Sequence, residues 1–131
     1  IALSTKPIVA SHSNARSVCG VARNMSDEMI LALHKNGGVM GMNYCEDFVS
    51  DDSYGSVANI VKHNNHIRDL GCIDNIGLGS DFDVISTRKE MEECSKMYLL
   101  CDALEKEGYT EEEIEKICSR NVLRVYEAVL K

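Results

Sequence analysis

Pro7-Ile8-Val9-Ala10-Ser11-His12-Ser13-Asn14-Ala15-Arg16 is the stretch on which the reading of this chain turns. It opens as a short apolar run and ends abruptly in polar residues. Pro7, the only proline, suits the first position of a strand. Ile8, Val9 and Ala10 suit a strand buried on both faces, as in a parallel sheet. His12 arrives just as the apolar run stops. Parallel α/β folds bind ligands at the carboxyl ends of their strands, so His12 is placed where chemistry usually sits. Its imidazole is a candidate metal ligand, and on spacing alone a structural hydrogen-bonding role is equally open.

Upstream, Ile1-Ala2-Leu3-Ser4 reads like the tail of a longer element, and the first residue is not Met. The expectation is a segment of a bigger chain. Downstream, the polar stretch from Ser13 to Asn24 is a loop that could line a site. A helix follows, with Ser26 as N-cap, Asp27 and Glu28 in its first turn, Met29, Ile30 and Leu33 as its apolar face, and Gly37-Gly38 as its stop. Val39 to Tyr44 is a second strand, Cys45 to Ser56 a loop, and Val57 to Leu70 a second amphipathic helix ended by Gly71. Ile76-Gly77-Leu78-Gly79-Ser80-Asp81-Phe82-Asp83 is a third strand stopping at two carboxylates. Its glycines mark close approach by backbone or ligand. From about Thr87 the chain reads as helical: one long helix closed by Gly108, a short helix opened by the capping box Thr110-Glu111-Glu112-Glu113, and a last one from Asn121 to Leu130, with Val122, Leu123, Val125 and Val129 mostly buried. Strand, helix, strand, helix, strand, then helices is a run of βα units with a parallel sheet. Three strands apolar on both faces make a poor domain alone, so the pattern is expected to be part of a larger barrel or sheet.

The chain has 131 residues, 44% apolar and 27% charged, which is globular composition for one domain or part of one. A formal charge of −7 and the lack of a basic patch argue against a nucleic-acid partner. No apolar run is long enough to cross a membrane, and no signal peptide is visible. The six cysteines (Cys19, Cys45, Cys72, Cys94, Cys101 and Cys118) include no C-x-x-C pair and no zinc-finger spacing. They read as buried reduced thiols, in keeping with a cytoplasmic location.

All three strands end in polar groups: His12, Asn43, then Asp81 and Asp83. On one rim, a histidine and an aspartate suit a metal-dependent hydrolase, the imidazole as ligand and the carboxylate as ligand or proton acceptor. Other candidates read as structural. His63 and His66 lie three apart on a helix and could pair on a metal, though packing or hydrogen bonding is the default. His34 reads as a surface residue. Glu46, Asp47, Asp51 and Asp52 lack the spacing of a calcium loop. The methionines read as core, Glu111 to Glu113 as a capped helix start, and Arg16 and Arg120 as ion-pairing residues.

The stretch around His12 closely resembles the S-H-S-[NS]-A segment of the membrane (renal) dipeptidase family of zinc peptidases. The resemblance continues through Arg23-Asn24, Ser26-Asp27-Glu28, Asn36 to Asn43, His63-Asn64-Asn65-His66-Ile67, Gly77 to Asp83 and Asn121-Val122-Leu123-Arg124-Val125. It covers nearly the whole chain in order, and the motifs around His12 and Asp81 are specific. The resemblance implies a (β/α)₈ TIM barrel with two zinc ions at the strand carboxyl ends. It implies cleavage of dipeptides, often with a D-residue at the C-terminal position, and in some members opening of β-lactam rings. His12 would be a zinc ligand, Arg23 a substrate-binding residue, and Asp81 the residue beside the bridging water and the substrate amine that shuttles the proton. The implied mechanism is attack on the scissile carbonyl by a zinc-bridging hydroxide. A homodimer of the full-length enzyme is compatible with this reading.

The departures point the same way. The family's H-x-D pair, its bridging Glu, a further zinc-binding His and a carbonyl-binding His have no counterpart here. The chain therefore reads as the C-terminal portion, about three βα units plus terminal helices, of a single barrel domain, and is expected not to catalyse alone. Val84 stands where the family commonly has Gly, and Phe48 where some members offer a tyrosine to substrate. Two alternatives stay open: a non-catalytic fragment or interaction module, and another metal-dependent hydrolase on the same barrel.

Overall fold

The structure is a computed structural model and describes residues 1–51, 55–83, 85 and 91–130. Asp52, the loop geometry at Val84 and the helical start near Thr87 lie outside the described residues. Three strands, β1 (Val9–Ser13), β2 (Val39–Met42) and β3 (Ile76–Leu78), form a parallel sheet in the order β1-β2-β3. Between them run α1 (Asp27–Asn36), a single turn α2 (Glu46–Val49) and α3 (Val57–Asp69). After β3 come α4 (Tyr98–Lys106), α5 (Glu111–Glu115) and α6 (Asn121–Val129), the last two joined by a π-helical turn, Lys116–Arg120.

The helix ends follow from local chemistry. Ser26 Oγ accepts the Met29 amide at 3.4 Å, and Asp27 and Glu28 face the positive end of α1. The helix stops at Gly37 (φ 75°), whose amide donates to the His34 carbonyl while Gly38 donates to that of Leu33. This left-handed stop is cheap only for glycine. Ser56 caps α3, and Thr110 and Glu113 satisfy each other's amides in the expected capping box.

β2 is the central strand, and all four of its residues are buried. β1 is not buried on both faces: it is an edge strand among the described residues, and Val9 is 45% exposed. The core lies between sheet and helices, around Ile30, Leu33, Met40, Met42, Ile67 and Leu104.

Other expectations are corrected. Met29, Leu123 and Val129 are exposed, because α1 and α6 turn those positions away from the sheet. The long helix before Gly108 is a 3₁₀ turn, Cys94–Lys96, followed by the shorter α4. The loop after β2 contains α2. Only Cys19 and Cys72 are buried, Cys94 and Cys118 are exposed, and all six cysteines are free. Among the described residues no helix is long and apolar enough to cross a membrane.

Candidate active site at the carboxyl rim of the sheet

His12 lies in a β-bulge. Ala10 pairs with Met40 and Ser13 with Met42, so Ser11 and His12 together oppose the single residue Gly41. A bulge re-aims side chains out of the regular alternation. Here it falls on the residue whose imidazole is the candidate ligand. His12 Nε2 is 3.9 Å from Asp81 Oδ1, with the two side chains 39% and 20% exposed. The first and third strands thus bring their terminal polar groups together on one rim.

Asp81 is held from two sides. Its backbone is left-handed (φ 64°), as is that of Asp83 (φ 74°). A non-glycine residue in that region costs about 1 kcal/mol or more and persists only where its surroundings fix it. Its Oδ2 accepts a hydrogen bond from Asn43 Nδ2 at 3.2 Å. Asn43 is fixed in turn by Asn14, whose Oδ1 accepts the Asn43 amide and whose Nδ2 donates to the Asn43 carbonyl, both at 3.0 Å. Asn14 is fully buried and was not singled out from sequence. Its signal in the sequence is its place in the S-H-S-[NS]-A segment, two residues after His12.

Arg23 reaches the same rim. Its Nη2 lies 3.3 Å from both ring nitrogens of His12. Equal approach to both nitrogens places the guanidinium over the ring rather than in line with one lone pair. The guanidinium carbon is also 5.4 Å from the centre of the Phe48 ring, a cation–π distance. Phe48 therefore carries a contact with Arg23 at the position where the resemblance offered a tyrosine hydroxyl. The Arg23 carbonyl accepts from Ser13 Oγ, and the neighbouring Asn24 Nδ2 donates to the carbonyls of Cys19 and Phe48. The loop between β1 and α1 is thereby tied to the segment after β2.

The remaining histidines are structural. His63 is completely buried: its Nδ1 accepts the Ala15 amide at 3.1 Å and its Nε2 donates to the Val49 carbonyl at 3.0 Å. Burial pushes its pKa down to about 4. With both nitrogens engaged it does not pair with His66 on a metal. His66 Nε2 instead lies 2.8 Å from Asp27 Oδ1, which also accepts from Ser17 Oγ. The His66 hydrogen bond is the main reason the Asp27 carboxyl lies below its usual range. His34 is exposed but bonded, its Nδ1 2.7 Å from Asn75 Oδ1. In the acidic loop, Asp51 Oδ1 accepts the Gly20 amide.

Imidazole and carboxylate are donors of the right chemistry for a hydrolytic metal. They are only two, whereas a zinc site takes at least three protein ligands. Among the described residues no group of three or more His, Cys, Asp or Glu side chains could hold a metal ion. Among the described residues the rim supplies two donors of this kind, one imidazole and one carboxylate.

Fold and rim together define a parallel βα protein segment with its candidate site at the strand carboxyl ends. Residues 1–131 match the family of the membrane dipeptidases, peptidase family M19, and the chain belongs to that family. It is 34% identical over 132 residues to the dipeptidase ataJ of Aspergillus terreus, covering 98% of this chain and 32% of that protein. It is 34% identical over 129 residues to an uncharacterized Klebsiella pneumoniae protein from the pqqA 5′ region, covering 95% and 48%. In structure it is similar to a metallopeptidase of Rhodobacter sphaeroides solved with a phosphinate mimic of the dipeptide L-Ala-D-Ala, at TM-score 0.89 and 29% identity, over 97% of this chain and 37% of that one. The probable dipeptidase PvdM of Pseudomonas aeruginosa shares the fold at TM-score 0.90 and 20% identity, over 98% and 46%. The chain spans half or less of the length of these relatives.

Proposed function

We propose that this chain is the C-terminal portion of a (β/α)₈-barrel zinc dipeptidase that hydrolyses the peptide bond of dipeptides. The observation that carries the reading is the meeting of His12 and Asp81, 3.9 Å apart, from the first and third strands of a parallel sheet. His12 would give one ligand to a two-zinc centre whose other donors lie on chain outside these residues. Zinc, when bound, supplies a lowered pKa for water and polarisation of the scissile carbonyl.

The chain's own residues divide the remaining work. Arg23 is a planar cation at the rim, suited to a substrate carboxylate. Contacts with Phe48 and with His12 hold it in place. Asp81 is the proton carrier: Asn43 occupies one carboxylate oxygen and leaves the other turned toward His12. The substrate class is proposed from family membership together with this pairing of cation and carboxylate.

The test measures zinc content and dipeptide turnover for the segment alone and for the segment mixed with the N-terminal portion of the barrel. Turnover is expected only on mixing. Turnover by the segment alone would show that the metal site is complete here, and no recovery on mixing would favour the non-catalytic alternative. In the complete protein, His12→Ala should lower zinc content. Asp81→Asn should keep zinc and lose kcat by 10²-fold or more, about the worth of a positioned acid–base group. Survival of dipeptide hydrolysis in both variants would overturn the assignment.

A further inference from the structure

We propose that Cys101 and Cys118 form an oxidisable dithiol, a modification site that closes into a disulfide on reaction with an uncharged hydroperoxide and staples α4 to the π-helical turn between α5 and α6. The two sulfurs are 3.7 Å apart, although 17 residues separate them in sequence. Cys101 is half-buried on α4, and Cys118 is exposed in the π-helical turn between α5 and α6. Both line one cavity of about 510 Å³, so a small oxidant reaches the pair from solvent. In the other cysteines this combination is missing: Cys19 and Cys72 are buried, and no other thiol pair is in contact among the described residues.

The surroundings select the oxidant. Asp102, Glu105, Glu111 and Glu115 line the same cavity. Their charge disfavours an anionic reagent such as glutathione disulfide and is indifferent to hydrogen peroxide or an organic hydroperoxide. Burial first, and the Cys101 thiol next, push Cys118 up to about 11. Cys118 therefore keeps its proton at neutral pH and enters second. The Cys101 sulfur attacks one peroxide oxygen. The O–O bond breaks, a sulfenic acid forms, and water or an alcohol leaves with the thiol proton. The Cys118 sulfur then attacks the sulfenic sulfur, the S–O bond breaks, and hydroxide leaves as water with the Cys118 proton. Two thiols and one hydroperoxide give one disulfide, with two waters from hydrogen peroxide.

The pair also lies within electrostatic reach of Tyr44. Its charge would be felt by the buried Tyr44 hydroxyl, which has no hydrogen-bond partner among the described residues and follows Asn43 directly. The modification is read without any activity, so it stands apart from the proposed function.

The experiment treats the chain with one equivalent of hydrogen peroxide, counts thiols after denaturation, and maps a tryptic digest without reduction. The expected result is a monomer with four of its six thiols left and peptides 97–106 and 117–120 linked. Cys101→Ser and Cys118→Ser should each abolish the link, and Cys118→Ser should leave a sulfenic acid on Cys101 that dimedone traps. Glutathione disulfide at the same concentration should react at least tenfold more slowly. The proposal is overturned if the two peptides stay unlinked while thiols are lost, or if oxidation runs first through Cys45 or Cys94. If either variant does not fold, the map of the unmodified sequence still decides.

Discussion

His63 should make this fold sensitive to acid within a defined window. The ring is completely buried and its neutral form is tied at both nitrogens, to Ala15 and Val49. Its pKa falls from 6.5 to about 4, chiefly through burial. As pH drops below 6.5, the unfolded chain takes up a proton at this position and the folded chain refuses it until about pH 4. The contribution is present in full above pH 6.5, is lost as pH falls through the window, and levels off below it. At about 1.4 kcal/mol per pH unit, the gap amounts to about 3 kcal/mol. That is a large share of the roughly 5–15 kcal/mol that holds a domain folded. Urea unfolding followed by far-UV circular dichroism at pH 7, 5.5 and 4.5 reads the effect directly. With a slope of about 1–3 kcal/mol per molar urea, the midpoint should fall by about 1–3 M across the window. His63→Gln should be less stable at pH 7 and show a much shallower acid slope, because the titrating group is gone. Asp27 does not confuse the result: its carboxyl is depressed below 3.8, so its contribution is lost only below the His63 window. The reasoning fails if wild type and His63→Gln lose the same stability between pH 7 and 4.5, or if the His63 ring titrates near 6.5 by NMR.

Two further substitutions test the frame that positions the site. Gly79→Ala would drive a Cβ into the backbone of Ser11 and to 2.8 Å from the Gly41 Cα, so a loss of about 1–3 kcal/mol is expected in thermal or urea unfolding. Gly71→Ala meets nothing within 4 Å and has only its left-handed backbone (φ 79°) to strain, so it should lose less; equal losses would show that strand crowding is not the cause. Asn121 donates to the carbonyls of Ile73 and Ile76 at 2.9 and 2.8 Å from an almost fully buried position. Asn121→Ala should cost about 1–3 kcal/mol through those orphaned carbonyls, and an unchanged unfolding midpoint would count against their burial mattering.

What could be read from the residues was whatever is settled within a few positions along the chain. Ser26 before an acidic turn, Gly37 after Lys35-Asn36 and Thr110 three before Glu113 each specify a helix end by local hydrogen bonding, and each is found as expected. The parallel βαβαβ order followed from apolar runs broken by glycine, and the likeness to the dipeptidase family rested on motifs that remain intact. What could not be read depends on partners distant in sequence. Val9 and Met29 are apolar residues in the right elements, yet exposed, because burial is decided by which neighbour packs against a face. Asn14 looked like loop composition until its two hydrogen bonds to Asn43 were in place. The π-helical turn that presents Cys118 beside Cys101 has no local signature at all.

The glycines of β2 and the third strand end show how packing becomes site geometry. In the third strand the glycines signalled close approach by backbone or by ligand, and here the approaching group is backbone. A side chain at Gly41 or at Gly79 would meet the Ser11 carbonyl, and each would also crowd the other. Ser11 is the first residue of the bulge, so the crowding lies one residue from His12. The missing side chains let three strand ends close together where Ser11 and His12 bulge outward. Asp81, two residues after Gly79, is thereby brought to 3.9 Å from His12. The polar residues carry the candidate chemistry, but their separation is set by two positions that have no side chain, and enlarging either should move the site before it alters any functional group.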